Sequence, residues 1–157
     1  GETMAAEGGA RGGREIDLSQ MPMDQLMQLK EQHEQEISEL TTNWRQLKEA
    51  QIKLEASTEA LKTVSSREGT DILVPLTESL YVPGNIVEAD RVLVELGTGY
   101  YAEKNVPDAQ DLIGRKVAMI SANADNMQET VTQKRNNLET IVMVMRSRLN
   151  APRQEAS

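Results

Sequence analysis

From Met23 to about Ser65 the apolar residues recur every seven positions. Leu26, His33, Leu40, Leu47, Leu54 and Leu61 form one column, and Lys30, Ile37, Trp44, Gln51 and Thr58 form a second. Leucine repeating at one heptad position among charged neighbours is the pattern of a left-handed coiled coil. No Gly or Pro interrupts the stretch after Pro22, and good helix formers dominate it. The pattern predicts a helix over about 23–66, roughly 60 Å long and too long to bury itself within a small globule. A second periodic stretch over about 106–149 runs Ile113, Val117, Ile120, Ala124, Met127, Val131, Lys134, Leu138, Ile141, Met145, alternately four and three apart. Asn105 can cap it, Asp108 completes an acidic variant of the capping box, and Pro107 loses no hydrogen bond in a first turn. Gly114 and the asparagines at 123, 126, 136 and 137 are poor helix residues, so packing against a partner must hold this arm.

Between the arms the period changes. Residues 71–104 predict two hairpins: Ile72–Leu76 with Leu80–Val82, turning at Thr77–Ser79, and Arg91–Leu96 with Tyr100–Glu103, turning at Gly97-Thr98-Gly99. The glycines flanking Thr98 can supply the positive φ that tight turns need. Pro75 and Pro83 cannot donate to a ladder and belong at an edge or a strand end. Pro83-Gly84-Asn85 reads as a turn.

Narrow apolar seams must close on something, and matched arms around a β centre predict an antiparallel coiled coil within the chain. Reversed, the seams pair Leu61 with Ile113, Leu54 with Ile120, and Leu47 with Met127. Its seam residues are Ile37, Leu40, Trp44, Leu47, Leu54, Leu61, Ile113, Val117, Ile120, Met127, Val131 and Leu138. With both arms facing each other, no helix is free to cover the hairpins. Two hairpins alone are marginal in water, so they are expected to complete a sheet with other chains.

Composition narrows the chemistry. Of 157 residues, 38% are apolar and 3% aromatic with no Phe, which suits a narrow seam better than a broad core. The net charge of −8 argues against nucleic acid, and the absence of cysteine removes disulfides, thiol nucleophiles and thiolate metal sites. The longest apolar run, Ile141–Met145, is too short for a membrane span, and the N-terminus has no signal-peptide core, so a soluble intracellular protein is the expectation. His33 lacks any ligand partner and is expected to pack in the seam; its protonation is a candidate for loosening the helix pair at low pH. Gly97-Thr98-Gly99 lacks the lysine and following helix of a phosphate loop. No nucleophile–base arrangement can be assembled, so neither catalysis nor a cofactor is expected. Residues 1–20 and 151–157 are expected to be structureless tails, with Met4 the natural start and Gly1–Thr3 an expression remnant.

Methionines concentrate where the first arm begins and the second ends: Met21, Met23, Met27, Met143 and Met145. Methionine is flexible and polarizable and suits contact with many unrelated apolar partners. Met23, Leu26, Met27, Ile141, Val142, Met143, Val144, Met145 and Leu149 are therefore candidates for a client-gripping tip. The alternative is a wider local core.

Val-Pro-Leu-Thr-Glu-Ser-Leu-Tyr-Val-Pro-Gly (residues 74–84) and Val-Leu-Val-Glu-Leu-Gly-Thr-Gly-Tyr-Tyr-Ala-Glu-Lys (residues 92–104) resemble the α-type subunits of prefoldin. The resemblance covers residues 21–149. It implies an α+β fold: a long antiparallel α-helical coiled coil with two central β-hairpins that complete an intersubunit β-barrel. It also implies a hetero-hexamer of two α-type and four β-type chains that captures unfolded actin, tubulin and their like without ATP and passes them to the cytosolic chaperonin. Val74, Leu76, Leu80, Tyr81, Val92, Val94, Leu96, Gly97, Gly99, Tyr100 and Tyr101 would then build the hub. A structural or regulatory coiled-coil adaptor in a prefoldin-like complex outside folding is the alternative, and nuclear roles remain open beside a cytoplasmic one.

Overall fold

The computed structural model describes residues 3–5 and 15–151. In chain order these form β1 (Thr3–Ala5), β2 (Glu15–Asp17), a 3-10 turn (Leu18–Gln20), α1 (Met23–Val64), a second 3-10 turn (Ser65–Arg67), β3 (Asp71–Pro75), β4 (Tyr81–Asn85), β5 (Arg91–Gly97), β6 (Tyr100–Asn105) and α2 (Val106–Asn150). The strands make three separate antiparallel pairs, β1–β2, β3–β4 and β5–β6. The chain divides into two compact units. One comprises residues up to Gln46 together with those from Ala124 onward; the other runs Leu47–Asn123.

Both helices follow the heptads. Every seam residue named above is buried or half-buried, while the intervening Glu, Gln and Lys positions are mostly exposed. Asn105 caps α2 through its Oδ1, which accepts from the Asp108 amide at 2.8 Å. Thr41, Thr42, Ser57 and Thr58 return their hydroxyls to carbonyls one turn back, which keeps these polar side chains satisfied along α1. α1 ends at Val64 with a 3-10 turn, two residues before the expected limit, where Ser65 and Ser66 replace good helix formers.

In the Leu47–Asn123 unit, Leu61 and Ile113 share a core with Val94, Val106 and Ala109, with Leu54, Val64, Val92, Leu112 and Val117 packed around it. The expectation that no helix covers the hairpins is therefore corrected: β5–β6 lies on the helices. Alternation does this. Val92, Val94, Ala102 and Lys104 point inward, and Leu93, Glu95, Tyr101 and Glu103 point outward. Lys116 Nζ donates to the Glu95 carbonyl at 3.0 Å, and the Val106 amide to the Asp90 carbonyl at 3.1 Å, fixing strand to helix.

Two turn readings change. Pro83-Gly84-Asn85 is strand, not turn: Leu73 pairs with Pro83 and Ile72 with Gly84. A Cβ on Gly84 would meet Val74 Cγ2 at 3.1 Å, so glycine lets the facing side chains lie across the strand. Hydrogen bonds at Ile86–Thr70 and Leu76–Leu80 set the alternation of this ladder, which turns the backbone of Pro75 and Pro83 away from the partner strand. The chain reverses between the hairpins at Glu88, whose φ is 51°, a conformation that no local glycine advertised. At the second hairpin only Gly99 takes positive φ, 78°; Gly97 stays in the strand beside a bulge and pairs with Tyr100.

The expected structureless tail through residue 20 is corrected in part. Thr3–Ala5 pairs with Glu15–Asp17, and Leu18 is completely buried. The remaining residues of that expectation, 1–2 and 6–14, and 152–157 of the C-terminal one, lie outside the described residues.

Candidate functional site

The first hairpin is apolar on both faces and covered on neither. Ile72, Val74, Leu76, Leu80 and Val82 lie on one side, and Leu73, Pro75, Tyr81 and Pro83 on the other. All residues of β3 are exposed, Leu73 to 67%. At the base of the hairpin Asn85 Nδ2 donates to the Gly69 carbonyl at 2.9 Å and, across the strands, to Asp71 at 3.0 Å. Its tip is closed by Thr77, whose Oγ1 accepts from the Leu80 amide at 3.1 Å.

The outer face of the second hairpin adds Leu93, Leu96, Tyr100 and Tyr101, with Tyr100 75% exposed. Arg91 Nε meets Glu103 at 2.8 Å across the same sheet. Of the hub residues expected from sequence, Val74, Leu76, Leu80, Tyr81, Leu96, Gly97, Gly99, Tyr100 and Tyr101 thus line open surfaces of their hairpins, with Val82 and Leu93 as additions. Val92 and Val94 do not: they pack on the chain's own helices. Contiguous uncovered apolar surface of this kind marks an interaction site.

In the other unit the start of α1 lies beside the end of α2. Leu18, Leu26 and Ile141 have no exposed surface, Val144 has 3%, and Ile16, Met21, Leu29 and Met145 pack against them. Leu26, Ile141 and Val144 therefore form a core at this end, a correction to their expected place on an open gripping surface. Met27, Met143 and Leu149 are exposed, and Met23, Val142 and Met145 are half-buried. Leu18 lies outside any apolar period, and its burial depends on Ile141 and Val144 of α2.

Arg148 closes the same end. Its guanidinium donates to the Leu18 carbonyl at 3.0 Å, to the Ser19 carbonyl at 2.6 Å and to the Met21 carbonyl. Asp17 shapes the turn, accepting from the Ser19 hydroxyl and amide, and these bonds hold its carboxyl below the usual range. Further along, Lys134 Nζ meets Glu36 at 2.8 Å, with the lysine side chain 13% exposed. That ammonium, helped by the Gln32 amide at 2.8 Å, holds Glu36 below its ordinary value of 4.5. His33 is buried in the seam, with Nδ1 3.0 Å from the Leu29 carbonyl.

Among the described residues no three His, Cys, Asp or Glu side chains are grouped to hold a metal, and no helix is long and apolar enough to cross a membrane.

A family profile described as prefoldin subunit matches residues 33–151. The chain is 37% identical to a probable prefoldin subunit 5 of Dictyostelium discoideum, over 90% of this chain and 89% of the relative. It is 38% identical to prefoldin subunit 5 of Arabidopsis thaliana, over 85% of this chain and 89% of that one. The human prefoldin subunit 5 is 34% identical over 85% of this chain and 88% of its own length. Among solved structures, the cryo-EM structure of filamentous prefoldin from Methanocaldococcus jannaschii superposes with a TM-score of 0.63 at 19% identity, covering 72% of this chain and 94% of that one. With its paired helices, its two hairpins and this kinship to proteins named subunit 5, the chain belongs to the prefoldin family.

Proposed function

We propose that this chain is an α-type subunit of a hetero-hexamer of two α-type and four β-type prefoldin chains, working in the cytoplasm as an ATP-independent chaperone. The observation that carries the assembly is the first hairpin, whose strands are apolar on both faces with no cover from their own chain. A two-stranded sheet with that exposure gains most by adding neighbours, and a closed barrel would remove its edges.

Client capture is the second half of the reading. Met27, Met143 and Leu149 offer exposed, flexible apolar contacts where α1 begins and α2 stops. Several such weak sites held in one complex act at high effective concentration, so avidity replaces nucleotide-driven grip. Non-native proteins of the actin and tubulin class would be held this way and handed to the cytosolic chaperonin.

Two measurements test the reading. Co-expression with β-type prefoldin chains should yield a native mass of two α-type plus four β-type subunits, and that complex should suppress aggregation of denatured actin without ATP. A well-behaved solitary monomer would remove the assembly, and a complex without effect on aggregation would remove the chaperone role.

A further inference from the structure

All the sulfur in this chain is thioether: eight methionines and no cysteine. The structure sorts those methionines by access. Met21 and Met145 pack against the core of Leu18, Leu26, Ile141 and Val144, and Met23 and Met127 are half-buried. Met27 and Met143, on the helix turns beside that core, are 55% and 58% exposed. Met119 matches them at 60% but belongs to the Leu47–Asn123 unit. Met27 and Met143 also share a chemical setting. Lys30 lines a shallow groove with Met27, and Arg146 lines another with Met143. Residues three apart are neighbours on a helix surface, so each cation stands within reach of its thioether. Lys30 meets Glu34 at 2.6 Å, and its ammonium has further donors to offer. Met119 has Ala122 in the corresponding place, and the lysine three residues before it, Lys116, is bonded to the Glu95 carbonyl. A thioether is a weak acceptor that gains little from a cation alongside, whereas a sulfoxide is polar and its oxygen accepts strongly.

We propose that Met27 and Met143 form a paired oxidation site, and that their conversion to sulfoxides by hydrogen peroxide lowers this subunit's hold on clients. The proposal rests on the chaperone reading and adds its regulation. In each step the sulfur attacks one peroxide oxygen and the O–O bond breaks. Sulfur is oxidised and peroxide reduced; the second oxygen leaves as hydroxide and becomes water by taking the proton from the oxygen now on sulfur. Lys30 and Arg146 then donate to the sulfoxide oxygens, and two apolar contact points become hydrated dipoles. Met21 and Met145 are shielded by their packing, so the core between the helix ends stays intact while its outer surface changes. Several weak contacts act together in the complex, which multiplies a modest loss at each. Methionine sulfoxide reductases, one for each epimer, restore the thioethers and reverse the change.

The test uses the assembled complex, treated with graded hydrogen peroxide that catalase removes before labelled denatured actin is added. Peptide mass mapping reads oxidation at each methionine, anisotropy reads actin binding, and the far-UV CD melt reads the fold. Met27, Met143 and Met119 should oxidise ahead of Met21 and Met145. Where both Met27 and Met143 are oxidised, affinity for actin should fall about tenfold, the ratio that part of the burial energy of such side chains supplies. The two sulfoxide reductases should restore it. Partner chains oxidise as well, so the deciding quantity is the ratio of affinities before and after peroxide in each variant complex. Met27→Leu with Met143→Leu should abolish most of the fall, and Met119→Leu should leave it unchanged. An equal fall in the double leucine variant overturns the proposal. So does a CD melt lowered at the same dose, which would mean that the helix ends had come apart, or oxidation of Met145 as early as Met143. If the untreated complex binds actin and full oxidation at both positions leaves affinity flat, this inference alone fails. If the untreated complex neither binds actin nor suppresses its aggregation, the chaperone reading fails with it.

Discussion

The two hairpins are built from similar material and meet opposite fates. In β5, Val92 and Val94 alternate with Arg91, Leu93 and Glu95, so one face suits a helix pair and the other stays mixed. In β3 the run Ile72-Leu73-Val74-Pro75 does not alternate, and continues through Leu76. An unbroken apolar run is the signature of a strand meant to be covered on both sides. The chain supplies neither cover. Alternation can thus separate a sheet that finishes itself from one that waits for partners, even within a single small unit.

The sharpest way to break this comparison is to place a carboxylate in each hairpin. Val94→Asp should destabilise the chain by about 3–5 kcal/mol, because the charge is left unpaired against Leu61 and Ile113. Leu73→Asp, in an exposed strand, should shift the same far-UV CD melt by no more than about 0.5 kcal/mol, yet abolish co-purification with β-type chains. The reverse order would undo the distinction. Next in size, Leu61→Ala should cost about 2–4 kcal/mol in urea unfolding, since it empties the floor on which the second hairpin rests.

The turns differ as well. Gly99→Ala forces a side chain into φ 78° and should cost about 1 kcal/mol. Thr77→Ala removes one exposed hydrogen bond from the first turn and should cost about 0.5 kcal/mol in the same urea titration. A final perturbation should touch neither hairpin. Glu36 is held below its ordinary 4.5, so the stability it lends is full above that pH and is lost as pH falls through its lowered value. Acid melts between pH 5 and pH 3, an interval chosen to span that ordinary value, should show a small loss that Glu36→Gln flattens, while leaving the Val94 and Leu73 effects in place.

The helices were legible because the heptad rule is local and repeats many times, from Leu26 to Leu61 and from Ile113 to Leu138. Asn105 was legible for the same reason, since a cap needs only its own helix. The family could be read from residues 74–84 and 92–104, and the comparisons bear that out. What escaped depends on partners remote in sequence. Pro83 and Gly84 are turn formers by habit, and only pairing with Leu73 and Ile72 makes them strand. Val94 looks like its neighbours until Ala109 and Ile113 are brought beneath it. Leu18 is one leucine in a polar stretch, and nothing nearby foretells that Ile141 and Arg148 will receive it. Leu26, Ile141 and Val144 carry the apolar character expected of a gripping surface, but the same character buries them when a neighbour fits better.

Pro75 and Pro83 both turn their nitrogen outward, away from the strand each is paired with. On β4 this leaves a gap in the middle of the outer rim, between Tyr81 and Asn85. On β3 the gap falls at the very end, and the amides of Asp71 and Leu73 remain available. A newcomer can therefore zip onto β3 over two consecutive rungs, but onto β4 only on either side of an interruption. Such a ribbon is extended more readily along its β3 rim than along its β4 rim, so the two flanks of one small sheet offer a newcomer unequal welcomes.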